Sequence, residues 1–206
     1  REEDRIRGLR GGADDYVIDD AFTLYDGEGP ELQVNLVVPN RLGYHVPTTL
    51  WLEYANVGDA PMPCPMFVVS GTEDALLTTD PTYAGRRGYW ESGFAALPDG
   101  VSTTVVTWAE GAGATPGSLQ PGDSGRIPIY YLGCMKPWDF SYPPIEFSLA
   151  AVTGDESEPL DWSAVAADSR PEWIASNVWD MMWANFAAQI GGTWGDFVTT
   201  RARIMN

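Results

Sequence analysis

Along 31–38 the chain alternates between apolar and polar positions. Leu32, Val34, Leu36 and Val38 fall on one side, and Glu31, Gln33 and Asn35 on the other. A period of two marks a strand with one buried face. The stretch 48–57 repeats it. Leu50, Leu52 and Tyr54 point one way, Trp51, Glu53 and Ala55 the other, and Asn56-Val57-Gly58-Asp59 supplies turn chemistry. Shorter β-rich runs follow at 66–70, 102–108, 126–132 and 145–152. Three prolines within 61–65 predict an edge or an extended connection, because proline has no N–H to give a ladder. Residues 71–100 carry only weak strand signals. Several short strands separated by turn clusters predict a mainly β fold, an antiparallel β-sandwich.

After Asp155-Glu156-Ser157-Glu158-Pro159 the period moves toward 3.6. A short helix is predicted over 161–168, with Asp161 as its N-cap. A second is predicted over 177–190, with Trp179, Met182, Trp183, Phe186 and Ile190 on one face, Asn177 as cap and Asp180 in its first turn. Gly191-Gly192 stops it, and Thr193 opens a third helix with Trp194, Phe197 and Val198 together. Aromatic stripes at helical spacing are usually core, so Trp162, Trp173, Trp179, Trp183 and Trp194 read as glue between a short C-terminal helical unit and the sandwich. At the other end, 1–12 is charged and ends in Gly-Gly, which reads as a linker or arm. The apolar segments 16–18 and 21–25 are too short for a sheet of their own. They are expected to add to a sheet edge, of this chain or of the next copy. The organisation is then an arm at 1–30, a sandwich at 31–154 and a helical unit at 155–206.

Charge narrows the function classes. Twelve basic residues stand against 29 acidic ones, a net −17. Such a surface repels phosphate backbones and anionic lipid, so neither nucleic acid nor membrane is an expected partner. No apolar run approaches the ~18 residues a membrane span needs. The start at Arg1, with no signal-peptide pattern, reads as a processed protein or an excised segment. His45 is the only histidine and the two cysteines lack C-x-x-C spacing, which argues against a Cys/His zinc site. No G-x-S-x-G, Walker A, H-E-x-x-H or dinucleotide fingerprint occurs. A lone histidine between two strands reads as a surface or hydrogen-bonding residue, and no catalytic residue and no organic cofactor are expected.

Several strings resemble a module of very large bacterial, planctomycete-type multidomain surface proteins, a CARDB- or fibronectin-like sandwich followed by a helical segment. They are Thr48-Thr49-Leu50-Trp51-Leu52-Glu53-Tyr54-Ala55-Asn56-Val57-Gly58-Asp59, Leu119-Gln120-Pro121-Gly122-Asp123-Ser124-Gly125, Pro137-Trp138-Asp139-Phe140, Asp161-Trp162-Ser163 and Gly192-Thr193-Trp194-Gly195-Asp196-Phe197-Val198. The resemblance covers about 31–200. It implies an Ig- or CARDB-like sandwich, an extracellular or cell-surface location and a structural or adhesive role. It brings no catalytic residues.

An exported chain permits a disulfide, and Cys64 and Cys134, each beside a predicted strand end, are the candidate pair; two buried free thiols are the alternative. Asp14, Asp15, Asp19 and Asp20 cluster around 16–18 and offer oxygens to a hard cation such as Ca2+, although a solvated acidic stretch is the simpler reading. Trp90 and Trp138 lie in loops and are the candidate sugar-stacking residues. The expected function is a non-catalytic structural or adhesion module, a fibre or matrix subunit that meets other copies or flanking domains. The alternatives are a carbohydrate-binding module and an enzyme domain of unknown chemistry.

Overall fold

The computed structural model describes residues 27–40, 43–86, 97–134 and 143–206, together with the backbone of two short strands before them. Those two, β1 (Ile6–Gly8) and β2 (Tyr16–Ile18), pair antiparallel in a sheet of their own. The stretch read as a linker therefore contributes a strand, and 16–18 is a strand as expected but pairs with it rather than adding to a sheet edge of the sandwich. Residues 21–25 and Asp14, Asp15, Asp19 and Asp20 lie outside the described residues, as do Trp90 and Trp138.

The body is an antiparallel β-sandwich. One sheet has the order β3 (Leu32–Val37), β4 (Thr48–Asn56), β10 (Ser124–Cys134), β7 (Ala75–Thr78). The other has β11 (Phe147–Val152), β6 (Met66–Gly71), β8 (Thr104–Trp108). A two-residue ribbon, β5 (Met62–Pro63) with β9 (Ser118–Leu119), closes one end. The alternation predicted for β4 holds: Leu50 and Leu52 are fully buried and Tyr54 nearly so, while Trp51, Glu53 and Ala55 are only partly covered. From the facing sheet Phe67 and Val69 complete the core, with Tyr131 on β10.

β7 was hidden in the weak 71–100 region. Its four residues, Ala-Leu-Leu-Thr, are all buried, so they show no alternation. Glu73 and Asp74 turn the chain into it at positive φ, a conformation more often given to Gly or Asn. β10 crosses both neighbours. Pro128 sits in it opposite Trp51 of β4, before the β7 ladder begins at Tyr130, so the missing N–H falls where one flank is unpaired.

In the immunoglobulin constant layout seven strands divide as ABED and CFG. Here β3, β4, β10 and β7 take the A, B, E and D places, β6 and β11 those of C and F, and β8 is an added strand beyond C. No strand occupies the G place beside β11 among the described residues. Leu32, Val34 and Leu36 on β3 and Phe147, Leu149 and Ala151 on β11 are consequently only partly buried.

Three helices follow: α1 (Trp162–Asp168), α2 (Ser176–Ile190) and α3 (Trp194–Met205). Asp161 caps α1 as predicted, accepting from the Ser163 N–H. α2 begins one residue earlier than expected. Its N-cap is Ala175, without a side-chain bond, and Asn177 lies inside the first turn. Thr193 and Asp196 form a reciprocal capping box on α3. α3 docks on the sandwich through Val198 and Ala202, and two glycines permit the approach. A Cβ at Gly117 would stand 2.3 Å from the Ala202 carbonyl, and one at Gly195 2.6 Å from that of Glu156.

The disulfide expectation is corrected. Cys64 and Cys134 are free and fully buried. Cys64 lies beside Pro116 and Gly117 at the end where β10 starts, and Cys134 is the last residue of β10. An antiparallel strand rises about 3.4 Å per residue, so the length of β10 separates the two thiols. In the native protein both thiols should resist a thiol reagent, and unfolding without reductant should release two. No free thiol after unfolding would restore the disulfide.

Asn56 supplies a second check. Its Oδ1 accepts from the N–H groups of Glu31 and Gly58, and its Nδ2 donates to the carbonyls of Ala60 and Leu119. Its side chain is fully buried. An apolar replacement such as Asn56→Leu strands several backbone groups at about 1–3 kcal/mol for each that water cannot reach. The denaturant midpoint should fall by the equivalent of at least about 2 kcal/mol; an unchanged midpoint would mean that water replaces the amide.

Candidate functional site

Three places combine chemistry with shape. The first is the only imidazole, His45. It is 4% exposed, with Nδ1 3.8 Å from the Cys134 sulfur. The Tyr131 hydroxyl donates to the Tyr44 carbonyl and that of Tyr44 to the Pro143 carbonyl, so the pair is walled by backbone-anchored rings. Burial pushes the Tyr131 phenol well above its ordinary range. A thiol and an imidazole in contact resemble a nucleophile and its base, but reactive cysteines are partly exposed and this one is not. Of the two readings of this histidine, surface or hydrogen-bonding, the surface one is corrected: it is buried against Cys134. Burial likewise raises the pKa of the Cys64 thiol, which lies at the far end.

The second place is the outer face of the four-stranded sheet. Register sets Asn35, Glu53 and Arg126 in one row across β3, β4 and β10, beside Gln33, Ala55 and Ser124 in the next. A shallow cavity of about 600 Å³ lies over them. Arg126 pairs with Glu53 at 3.3 Å and stacks 4.0 Å from the Trp51 ring centre. That guanidinium covers one face of the aromatic ring.

The third place is the helical unit, and it departs most from a self-contained domain. α2 has no buried residue. One stripe, Trp179, Trp183, Ala187 and Ile190, is half-buried against α1 and α3. Rings fill the space there. Trp183 lies 5.4 Å from Trp179, 5.2 Å from Phe186 and 6.1 Å from Trp162, and Phe197 passes the contact on to Trp108 of β8 at 5.8 Å. The indole N–H of Trp162 donates to Gly191 and that of Trp179 to Ala166. The Nε1 of Trp183 is buried with no hydrogen-bond partner among the described residues.

A stripe of α2 flanking this one is also apolar. Val178, Met181, Met182 and Phe186 are 41%, 61%, 50% and 47% exposed, and on α3 Ile204 is 77% exposed. A helix face this apolar is normally buried. Trp173, expected in the core, is 83% exposed. The predicted glue role holds in part, since Trp162, Trp179, Trp183 and Trp194 pack mainly on one another and on Phe197. Between α2 and α3 runs a groove of about 420 Å³ lined by Phe186, Ile190, Phe197, Thr200, Arg201 and Ile204 among others.

Sequence periodicity found α2 but placed Met182 and Phe186 on the inward face with Trp183. The signal for a second face was the apolar pair Val178 and Met181, outside that stripe. Among the described residues no group of three or more metal-ligating side chains gathers. The chain matches no protein family model, no curated protein and no solved structure.

The partnerless indole makes a discriminating test. Trp183→Phe removes the N–H and keeps the ring packing, so relief of an unpaired donor offsets lost contact. Its stability should stay within about 1 kcal/mol of wild type, whereas Trp183→Ala should cost about 3 kcal/mol. Chemical denaturation reads both. Equal losses would mean that the N–H holds a partner.

Proposed function

We propose that this chain is a non-catalytic structural or adhesion module of an extracellular or cell-surface assembly, a fibre or matrix subunit, whose helical unit is a contact surface. The observation that carries the reading is the uncovered apolar face of α2 with Ile204 of α3. Contiguous exposed apolar area is a mark of an interaction site, because water disfavours leaving it open. The methionines suit the role, being flexible and polarisable enough to fit a partner's contour. The sandwich beneath is a rigid mount, and Gly117 and Gly195 let α3 seat on it without an intervening layer. The cell-surface part rests on the sequence resemblance to modules of large bacterial surface proteins, and the acidic surface suits a soluble, exposed setting.

Carbohydrate binding is the second reading. Its favourable observation is the patch of Gln33, Asn35 and Glu53 on the sheet face beside Trp51, a set able to meet sugar hydroxyls. Arg126 already occupies one face of that indole, which leaves less ring for stacking.

Sedimentation velocity across a concentration series tests the first reading. The wild type should self-associate, and Met181→Asp with Met182→Asp should abolish this while leaving the circular dichroism of the fold unchanged. A wild type that stays monomeric to the solubility limit, or an association the double variant does not affect, would sink it.

A further inference from the structure

β11 is an edge strand without a guard. Residues 147–152 hold no charge and no proline, and their ladder with β6 runs without a bulge. Native sheets protect an edge by such devices, because its free N–H and C=O groups template another strand. Neighbouring bonds fix where those groups point. The Thr72 N–H donates to the Glu146 carbonyl, and the N–H of Gly71, which lies opposite Phe147, is turned away to the Thr103 carbonyl. Backbone groups alternate along a strand, so Ser148, Ala150 and Val152 bond β6, while Phe147, Leu149 and Ala151 aim theirs at the open edge. Among the described residues no strand lies there.

The mouth beside this edge is bounded by β3 and β11, six residues each, a length of about 20 Å. It deepens at both ends. A cavity of about 440 Å³ joins Val38 to Phe147, and one of about 540 Å³ joins Leu32 to Gly154. In the constant layout β3 stands at an edge in any case, so the open place is the G position beside β11. A strand there would lay alternate side chains over the half-buried rows of both sheets. Charge selects the occupant. Exposed Glu146 stands at one end of the mouth, and exposed Glu31 and Asp155 at the other. None of the three has a cationic partner among the described residues. A second copy of this acidic chain would bring carboxylates of its own to both ends, whereas a strand with basic ends would neutralise them.

We propose that the β11 edge binds an extended segment of a different protein chain, apolar at alternate positions and carrying Lys or Arg at both ends. The segment adds a fourth strand to the three-stranded sheet. Backbone bonds to Phe147, Leu149 and Ala151 supply affinity, and the mouth between β3 and β11 reads its alternate side chains. Acceptor and occupant both differ from those of the α2 contact, and the test needs no self-association.

The probe is a fluorescein-labelled peptide with six residues of alternating valine and threonine, the length of β11, between terminal arginines. Fluorescence anisotropy with the full chain reads its binding. The peptide should bind, and added salt should weaken it, since the end contacts are ionic. Glu31→Lys with Glu146→Lys, both exposed, should weaken it about ten-fold or more and favour a peptide with terminal glutamates instead, with circular dichroism unchanged. Methyl groups on the valine nitrogens and on the threonine nitrogens block opposite edges of the peptide, so one set should abolish binding and the other leave it within a few-fold. Equal behaviour of the two methylated peptides would mean that no ladder forms, and would overturn the proposal. So would equal binding of the glutamate-ended peptide to the wild type, or no binding at all. Should the peptide fail to bind while Glu31→Lys with Glu146→Lys alters self-association, a second copy holds the edge, and the proposal falls while the assembly reading stands.

Discussion

The carboxamide of Asn56 is the junction on which the rest of the structure depends. Its oxygen and nitrogen together hold four backbone groups from three parts of the chain: the entrance to β3, the turn after β4, and Leu119. Its own backbone bonds Asp123 and Gly122 at the start of β10. An amide buried in this way is stable only when all its bonds are made at once, so one side chain fixes the spacing of several segments. The consequence reaches the helices. Leu119 lies two residues from Gly117, the seat of Ala202, and Asn206 bonds both Gly117 and Ser118. Displacing Leu119 would displace the floor on which α3 rests.

The division between sandwich and helical unit is one between two kinds of packing. In the sandwich, aliphatic side chains from two sheets interlock around Leu50, Leu52, Phe67 and Ile129, with exposures at or near zero. In the helical unit, indole and phenyl rings meet edge to face and leave partly exposed rims. Rings tolerate such an arrangement because their edges and faces attract electrostatically at centroid separations of about 4.5–7 Å. The result is a small layer that holds its shape yet keeps much apolar area outside, the condition a contact surface needs.

How much of this was legible in the sequence depended on whether a segment has two different faces. β3 and β4 alternate because one side meets the core and the other meets water, and their register with the core was readable from Leu32 and Leu50 onward. β7 has no wet side, so its four residues gave no period. The caps at Asp161 and Thr193 were visible because the chemistry is local, while α2 starts at an uncapped alanine that no local rule marks. Cysteine pairing failed for a related reason. Nearness to strand ends is a local property, and which end of a long strand is a global one. The groove was beyond the sequence altogether, since its walls come from two helices whose relative placement is set by rings and by glycines that only the packed structure relates.

The two ends of the described body lie at one pole. Pro30, leading into β3, and Thr199 of α3 line the same cavity, and Asn206 reaches the Asn56 junction through Leu119. In a sandwich with its chain ends at opposite poles, a pull along the chain shears the long β-ladders, which resist because their bonds must break together. Here a pull between residue 30 and residue 206 would act across one pole and strip α3 from its seat a few contacts at a time. The sandwich would carry almost none of the load, and α3 would behave as a mechanical fuse.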